Sequence, residues 1–312
     1  MSESANASAT PLTPLSAIRA AASDIKLAHS VFALPFAVLG AFLVAPRGAS
    51  GAIDWATFAW MLAIVVACMF FARTWAMLFN RIADASIDAA NPRTARRAIP
   101  AGRISRRSAW AVALGAAACF VAAASLFGLS FSNWWPAILA VPVLLWIAFY
   151  SLTKRFTALC HVFLGGALAA SPLAAAIAVG PDLLTSTPAV WLLALMVLLW
   201  VAGFDVIYAL QDLDFDRERN LHSIPAALGW RGAAWISRAL HAGALVALVC
   251  AWRADARLGA TFGAAVAAVG LLLAAEHIVL ARRGKAGLDM AFFTLNGIVA
   301  CALGAAGVID LL

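Results

Sequence analysis

Charge is scarce in this chain: of 312 residues only 12% are Asp, Glu, Lys or Arg, while 64% are hydrophobic. A soluble domain carries about 25% charged residues and interrupts its apolar runs with polar faces, so that class is excluded. Cysteine is sparse as well. Cys68, Cys119, Cys160, Cys250 and Cys301 lie in apolar segments and form no CxxC pair. A thiolate metal site and a disulfide framework are therefore not expected, and the cysteines read as small packing residues. The opening "MSESANASATPLTP" lacks a basic stretch followed by an apolar core. It reads as a disordered tail over 1–14, with no cleavable signal peptide, ahead of a single domain over 15–312. The net charge of +7 comes with no nucleic-acid-binding motif, and its basic residues sit in a few loops. Neither a nucleic-acid nor a protein partner is expected.

What fills the chain instead is apolar runs of about 20 residues, each long enough to cross a hydrocarbon core of ~30 Å. The windows between polar or Gly/Pro breaks predict nine spans, at 27–45, 53–80, 108–128, 133–150, 158–179, 189–210, 233–252, 258–280 and 290–310. The fold class is all-α, a polytopic membrane protein. After the second span come Arg81, Arg93, Arg96, Arg97, Arg103, Arg106 and Arg107, and after the fourth come Lys154 and Arg155. The loops after spans six and eight add Arg217, Arg219, Arg231, Arg282, Arg283 and Lys285, whereas the opposite loops hold only Arg47, Arg253 and Arg257. The positive-inside rule then puts the amino terminus in the cytoplasm and the carboxyl terminus outside.

Two acidic clusters fall on that cytoplasmic side: "NRIADASID" at 80–88 and "QDLDFDRE" at 211–218. Helical spacing puts Asn80, Asp84 and Asp88 on one face if the helix continues, with Arg73 on the same face seven residues earlier. Asp212 and Asp216 repeat the spacing, and Asp205 precedes them. Carboxylates with an amide oxygen form a hard-oxygen surface suited to Mg²⁺, which takes one or two carboxylates plus phosphate oxygens and water. The plainer reading is that these acids solvate helix ends and pair with the loop arginines. Arginine beside such a surface points to an anionic ligand, and a diphosphate fits best, with Arg73, Arg93, Arg97, Lys154 and Arg155 as candidate contacts. An arginine as deep in a span as Arg73 is a functional signal in itself.

"NRIADASIDAANPRTARRAIPAG" at 80–102 resembles the first signature of the UbiA superfamily of intramembrane aromatic prenyltransferases, Asn-x-x-x-Asp-x-x-x-Asp followed by Arg-Thr-x-x-Arg-x-x-Pro-x-Gly. "YSLTKRFT" at 150–157 resembles its Tyr-x-x-x-Lys-Arg element, and "DVIYALQDLDFDRERNLHSIPAALG" at 205–229 its second signature. The resemblance implies nine transmembrane helices around a central cytoplasm-facing cavity. It implies that Asn80, Asp84, Asp88, Asp212 and Asp216 hold two Mg²⁺ ions, that Arg73, Arg97 and Lys154 meet the diphosphate, and that Asp205 lies near the aromatic acceptor. Asp84, Asp88, Asp205, Asp212 and Asp216 are then the catalytic candidates. Tyr150, Tyr208 and Ser223 belong to the matched elements and join the acceptor side. So do His29 and His222, whose bland alternative is a helix-end histidine with ordinary partners. Arg81 departs from the pattern, standing where many members have Asp, on a side turned away from Asn80 and Asp84.

The implied activity is Mg²⁺-dependent transfer of a polyprenyl group from its diphosphate to an aromatic hydroxy acid, 4-hydroxybenzoate or a dihydroxynaphthoate, in ubiquinone or menaquinone synthesis. The setting would be a bacterial-type inner membrane, with lipid around the spans and the prenyl tail in a groove lined from stretches such as "VPVLLWIAFY". Rival readings are another acceptor within the family or an ion-coupled transporter, which would place its acids near mid-bilayer. The Asp-Gly-x-x-Ala-Arg opening of phosphatidyl-alcohol transferases and the Asp-Asp-x-x-Asp motif of soluble isoprenyl synthases are both missing.

Overall fold

The fold is described for residues 32–288 and 294–312 of a computed structural model. Among these residues there is no strand beyond an isolated bridge between Arg47 and Ile53. Eleven α-helices follow in order: α1 Leu34–Leu43, α2 Trp55–Ala83, α3 Ala85–Ala90, α4 Arg106–Phe131, α5 Trp135–Thr153, α6 Cys160–Val179, α7 Pro188–Ala209, α8 Leu213–Glu218, α9 Ile224–Ala254, α10 Ala260–Arg283 and α11 Asn296–Leu311. Among the described residues seven helices are long and apolar enough to cross a membrane, and α1 and α11 are shorter apolar helices. The chain is thus an integral membrane protein, since helices are the form in which an apolar chain satisfies its backbone in lipid. The first part of the expected 27–45 span and the start of the 290–310 span lie outside the described residues, as does His29.

Local sequence sets the helix starts. Asp54 caps α2 by accepting from the Thr57 N–H, and Ser105 caps α4 by accepting from Ser108 at 3.0 Å. Ser223 caps α9 through Ala226, with Pro225 in the first turn. These are residue types that satisfy the orphan N–H groups of a first turn.

Two boundaries differ from the hydropathy reading. α9 begins at Ile224 rather than 233, with a sharp break at Gly229, φ +68°, between a short first stretch at 224–228 and the rest of the helix. An L side chain rarely adopts that conformation. The helix through Asn80 also does not run unbroken to Asp88: α2 ends at Ala83, and α3 restarts after Asp84. The Asp84 and Asp88 N–H groups still bond to the carbonyls four residues back, at 2.9 and 2.7 Å, so the face is roughly kept.

α7 is the most enclosed of the long helices, as its apolar residues all around the axis require. Trp200, Val201 and Val206 on it are fully buried, and Phe32 and Phe36 pack against the Trp200 ring. Close backbone approach depends on glycine. A Cβ at Gly165 on α6 would lie 2.3 Å from the Leu198 carbonyl oxygen of α7, and one at Gly203 on α7 would lie 2.2 Å from the His241 ring of α9. Helices in lipid gain much of their association from such contacts.

A polar network buried among the second-half helices ties them further. Trp200 Nε1 donates to Asn296 at 2.7 Å, the Asn296 amide reaches Glu276, and His241 bonds the Trp200 carbonyl and His277. At the opposite end from the acidic clusters, Arg257 donates to the Leu43 carbonyl and Arg47 to the Leu311 carbonyl, both at 2.8 Å. These arginines cap helix C-termini, where a cation also meets the negative dipole end. The cysteines are all free, but Cys119, Cys250 and Cys301 are exposed on helix surfaces, so the packing role expected for all five does not hold for those three.

Candidate active site

Three loop regions meet at one end of the bundle: 84–105, 153–159 and 210–223. Asp84, 2% exposed, closes α2 and faces the end of α5. Lys154 Nζ donates to its Oδ2 at 2.6 Å, and Arg155 donates to its Oδ1 at 3.0 Å and to the Ala83 carbonyl at 2.8 Å. Asn80 adds a 3.3 Å bond to Oδ2. Asp88, also buried, takes Arg97 on Oδ1 at 2.7 Å, while its Oδ2 is buried without a partner. Thr94 fixes the turn by donating to the Asp88 carbonyl.

The first loop crosses to the second acidic segment through Asn91 and Arg93. Asn91 donates to Asp212 Oδ1 at 2.9 Å; Arg93 grips both oxygens of Asp212 and donates to the Tyr208 hydroxyl at 3.2 Å. The Arg93 guanidinium also lies over the Tyr208 ring. Burial alone would lower the Arg93 pKa, but the Asp212 and Tyr208 contacts outweigh it and hold the value above the ordinary one. Asp216 accepts from Ser223 Oγ at 2.9 Å, the same hydroxyl that caps α9. Asp205, on the last turns of α7, accepts from the buried His161 at 2.7 Å.

The geometry gathers Asn80, Asp84, Asp88, Asp205, Asp212, Asp216, Tyr208, Ser223, Arg93, Arg97, Lys154 and Arg155 at one end of the molecule. As they stand, the four basic side chains neutralise carboxylates of the two clusters directly, the pairing that the plainer reading anticipated. Among the described residues no three His, Cys, Asp or Glu side chains form a metal cluster. Arg73 is half-buried on α2, with Nε and Nη2 buried and unpartnered. Tyr150 packs on the cluster that includes Trp75 and Leu144. His222 is exposed and contributes its backbone N–H to the Lys154 carbonyl at 2.7 Å. Asn91 and His161 were not legible as site residues, because their roles arise from contacts 121 and 44 residues away.

A groove of about 480 Å³ opens between α5, α6 and α7, lined by Val143, Trp146, Ile147, Ala170, Leu173 and Trp191 among others. Part of "VPVLLWIAFY" therefore does line an apolar groove, on the side of the bundle.

The 4-hydroxybenzoate octaprenyltransferase of Nitrosomonas eutropha is 37% identical over 151 residues, 48% of this chain. The match spans about half, 50%, of that relative's length. The apo structure of a UbiA homolog from Aeropyrum pernix K1 superposes with a TM-score of 0.79 at 34% identity, covering 92% of this chain and 99% of that one. A UbiA homolog from Archaeoglobus fulgidus, solved bound to GPP and Mg²⁺, has a TM-score of 0.65 at 17% identity, covering 94% and 99%, and shares the fold. The model of the UbiA prenyltransferase family matches residues 33–298, nearly the whole described helical bundle. By that match, with its two acidic segments facing one another across a basic loop, the chain belongs to the UbiA prenyltransferase family.

Proposed function

We propose that the chain is a Mg²⁺-dependent aromatic prenyltransferase that moves a polyprenyl group from a polyprenyl diphosphate to an aromatic hydroxy acid. The observation that carries this reading is the meeting of two acidic segments with four basic side chains at one end of an apolar bundle. Asn80, Asp84 and Asp88 on one side and Asp212 and Asp216 on the other offer the hard oxygen donors that Mg²⁺ prefers, and Asp88 Oδ2 is already unpartnered. Two bound ions would withdraw charge from the diphosphate as its C–O bond breaks.

The chain's own cations do the rest of the anchoring. Arg73 holds two buried donors without partners, a costly arrangement that an anionic ligand relieves. Lys154, Arg155, Arg93 and Arg97 are placed to turn from carboxylates to phosphate oxygens and stabilise the leaving diphosphate. The diphosphate departs with the C–O electron pair, the allylic carbon bonds to a ring carbon ortho to the phenol, and the ring proton passes to a base. Asp205 is assigned to the acceptor side, with Tyr150, Tyr208, Ser223, His222 and His29 as further acceptor candidates.

The groove between α5 and α6 fits the prenyl tail. Its Ile147 lies seven residues before Lys154 on α5, a rise of roughly 10 Å, so a tail leaving the diphosphate reaches it within a few isoprene units. We further assign nine transmembrane helices, counting α1 and α11, a cytoplasmic active site, a cytoplasmic amino terminus and a bacterial-type inner membrane. The loop arginines support that orientation. It is tested by labelling single cysteines placed in the 89–107 loop; reaction only from the outer side overturns it.

The name of the Nitrosomonas relative supports 4-hydroxybenzoate as the acceptor, in ubiquinone synthesis, and a dihydroxynaphthoate, in menaquinone synthesis, is the alternative. Membranes containing the protein, given Mg²⁺, a polyprenyl diphosphate and either acid, decide between them by mass spectrometry. A prenylated product that disappears with EDTA supports the reading. No product with either acid, from folded protein, refutes it.

A further inference from the structure

The start of α9 holds two of the site's acids. Ser223 donates to Asp216 at 2.9 Å, and the next N–H, of Ile224, donates to His161 Nε2 at 3.3 Å. A backbone N–H only donates, so Nε2 is the unprotonated nitrogen of that ring. The hydrogen therefore sits on Nδ1, which lies 2.7 Å from Asp205 Oδ2 and donates to it. His161 is 2% exposed, so water does not compete for either bond. The pattern, backbone N–H to imidazole to carboxylate, sets tautomer and ring orientation by the logic that governs any histidine held at one nitrogen.

One carboxylate oxygen is thereby committed. Among the described residues no hydrogen bond reaches Asp205 Oδ1, and the Asp205 side chain is 23% exposed where His161 is 3%. We propose that His161 is a positioning residue for the acceptor. It locks Asp205 so that Oδ1 alone faces the incoming aromatic and accepts from its hydroxyl. The hydroxyl then orients the ring with one ortho carbon toward the allylic centre. This rests on the reading that Asp205 serves the acceptor side. It goes beyond that reading in naming the residue that fixes Asp205 and the oxygen that is used. The α9 start becomes the part that relates acceptor to metal side, because adjacent residues hold Asp205, through His161, and Asp216.

Two near-isosteric variants separate the bonds. In His161→Asn the amide nitrogen takes the place of Nδ1 and keeps the donor to Asp205. In His161→Gln the amide reaches the Nε2 position and keeps the bond from Ile224 alone. His161→Ala and Asp205→Asn complete the set, each checked for folding by gel filtration in detergent. The readout is KM for the aromatic acid, KM for the diphosphate, and kcat. His161→Ala and His161→Gln are expected to reduce kcat/KM for the acid on the order of ten- to hundredfold, the size of a lost bond to a charged group. KM for the diphosphate is expected to stay within about twofold, and His161→Asn to recover most of the loss. Equal impairment of the Asn and Gln variants would assign His161 to packing and overturn the proposal. So would wild-type kinetics in all three His161 variants while Asp205→Asn is impaired, an outcome that leaves the reading of Asp205 intact. Full activity of Asp205→Asn would instead remove the acceptor role of Asp205, and this inference with it.

Discussion

Gly165→Ala is the change that the packing makes most informative. The added methyl carbon would lie 2.3 Å from the Leu198 carbonyl oxygen, and the atoms behind that oxygen are backbone. Carbon and carbonyl oxygen rest at about 3.3–3.6 Å, so α6 and α7 must separate by roughly 1 Å. Overpacking of this kind costs about 1–3 kcal/mol, and rigid backbone on the receiving side puts the cost toward the upper end. Alanine recovers up to ~1 kcal/mol of helix propensity, which leaves a net loss of about 2 kcal/mol. The neighbouring glycine supplies the control. A methyl at Gly166 meets the edge of the Trp146 side chain at 3.3 Å, which a few tenths of an ångström of side-chain movement relieves. Gly166→Ala should therefore be neutral or slightly stabilising. The activity effect follows from position, because His161 lies one turn before Gly165 and Asp205 lies on the helix being pushed away. A misplacement of ~1 Å of such a pair costs on the order of a hundredfold in rate. Denaturant titration in mixed micelles and prenyl transfer per folded protein measure the two effects. Equal stability and rate for the two alanine variants would refute both the close approach and its link to the site.

Asp84→Asn and Asp212→Asn, made separately, should each lower prenyl transfer on the order of a hundredfold at fixed Mg²⁺; either variant at full rate while folded removes that residue from the metal site. Ala170→Phe narrows the groove between α5 and α6 and should shift product toward shorter prenyl chains when diphosphates of two lengths compete. An unchanged product ratio by mass spectrometry would move the tail elsewhere. Asp255 is raised by burial, but the Arg257 side-chain and backbone hydrogen bonds outweigh it and hold its carboxyl below the ordinary value. A depressed folded value gives stability that is present above the unfolded value of about 3.9 and lost as pH falls through the folded one. Asp255→Asn should flatten that acid limb in thermal unfolding, since Arg257 then holds the Leu43 carbonyl without its carboxylate partner.

The long spans were legible because length and apolarity are local properties, and α2, α4, α5, α6 and α7 fall within a few residues of the expected windows. The start of α9 was not, since Pro225, Gly229 and Gly232 read as breaks in the sequence although the helix runs through them across a kink at Gly229. The acidic motifs were legible from spacing alone. Their present partners were not: Lys154 is 70 residues from Asp84, and Arg93 is 119 from Asp212. Composition placed the arginines in loops but could not say that Arg47 and Arg257 cap distant helix ends. The buried chain from Trp200 through Asn296 to Glu276 left no pattern in the sequence, since it joins three helices at unrelated positions.

The ion pairs at the site have a consequence for the order of binding. Asp84 is held by Lys154 and Arg155, Asp88 by Arg97, and Asp212 by Arg93. A metal arriving alone must displace cations that are already well placed, and a diphosphate arriving alone must draw those cations from their carboxylates. Each ligand frees the partner that the other needs. On the proposed function, metal and diphosphate would therefore be thermodynamically linked, and whatever factor one contributed to the affinity of the other would be returned in full. On that reading a change in either concentration would have little effect while the other is low, so the pair, rather than either member, would set the rate.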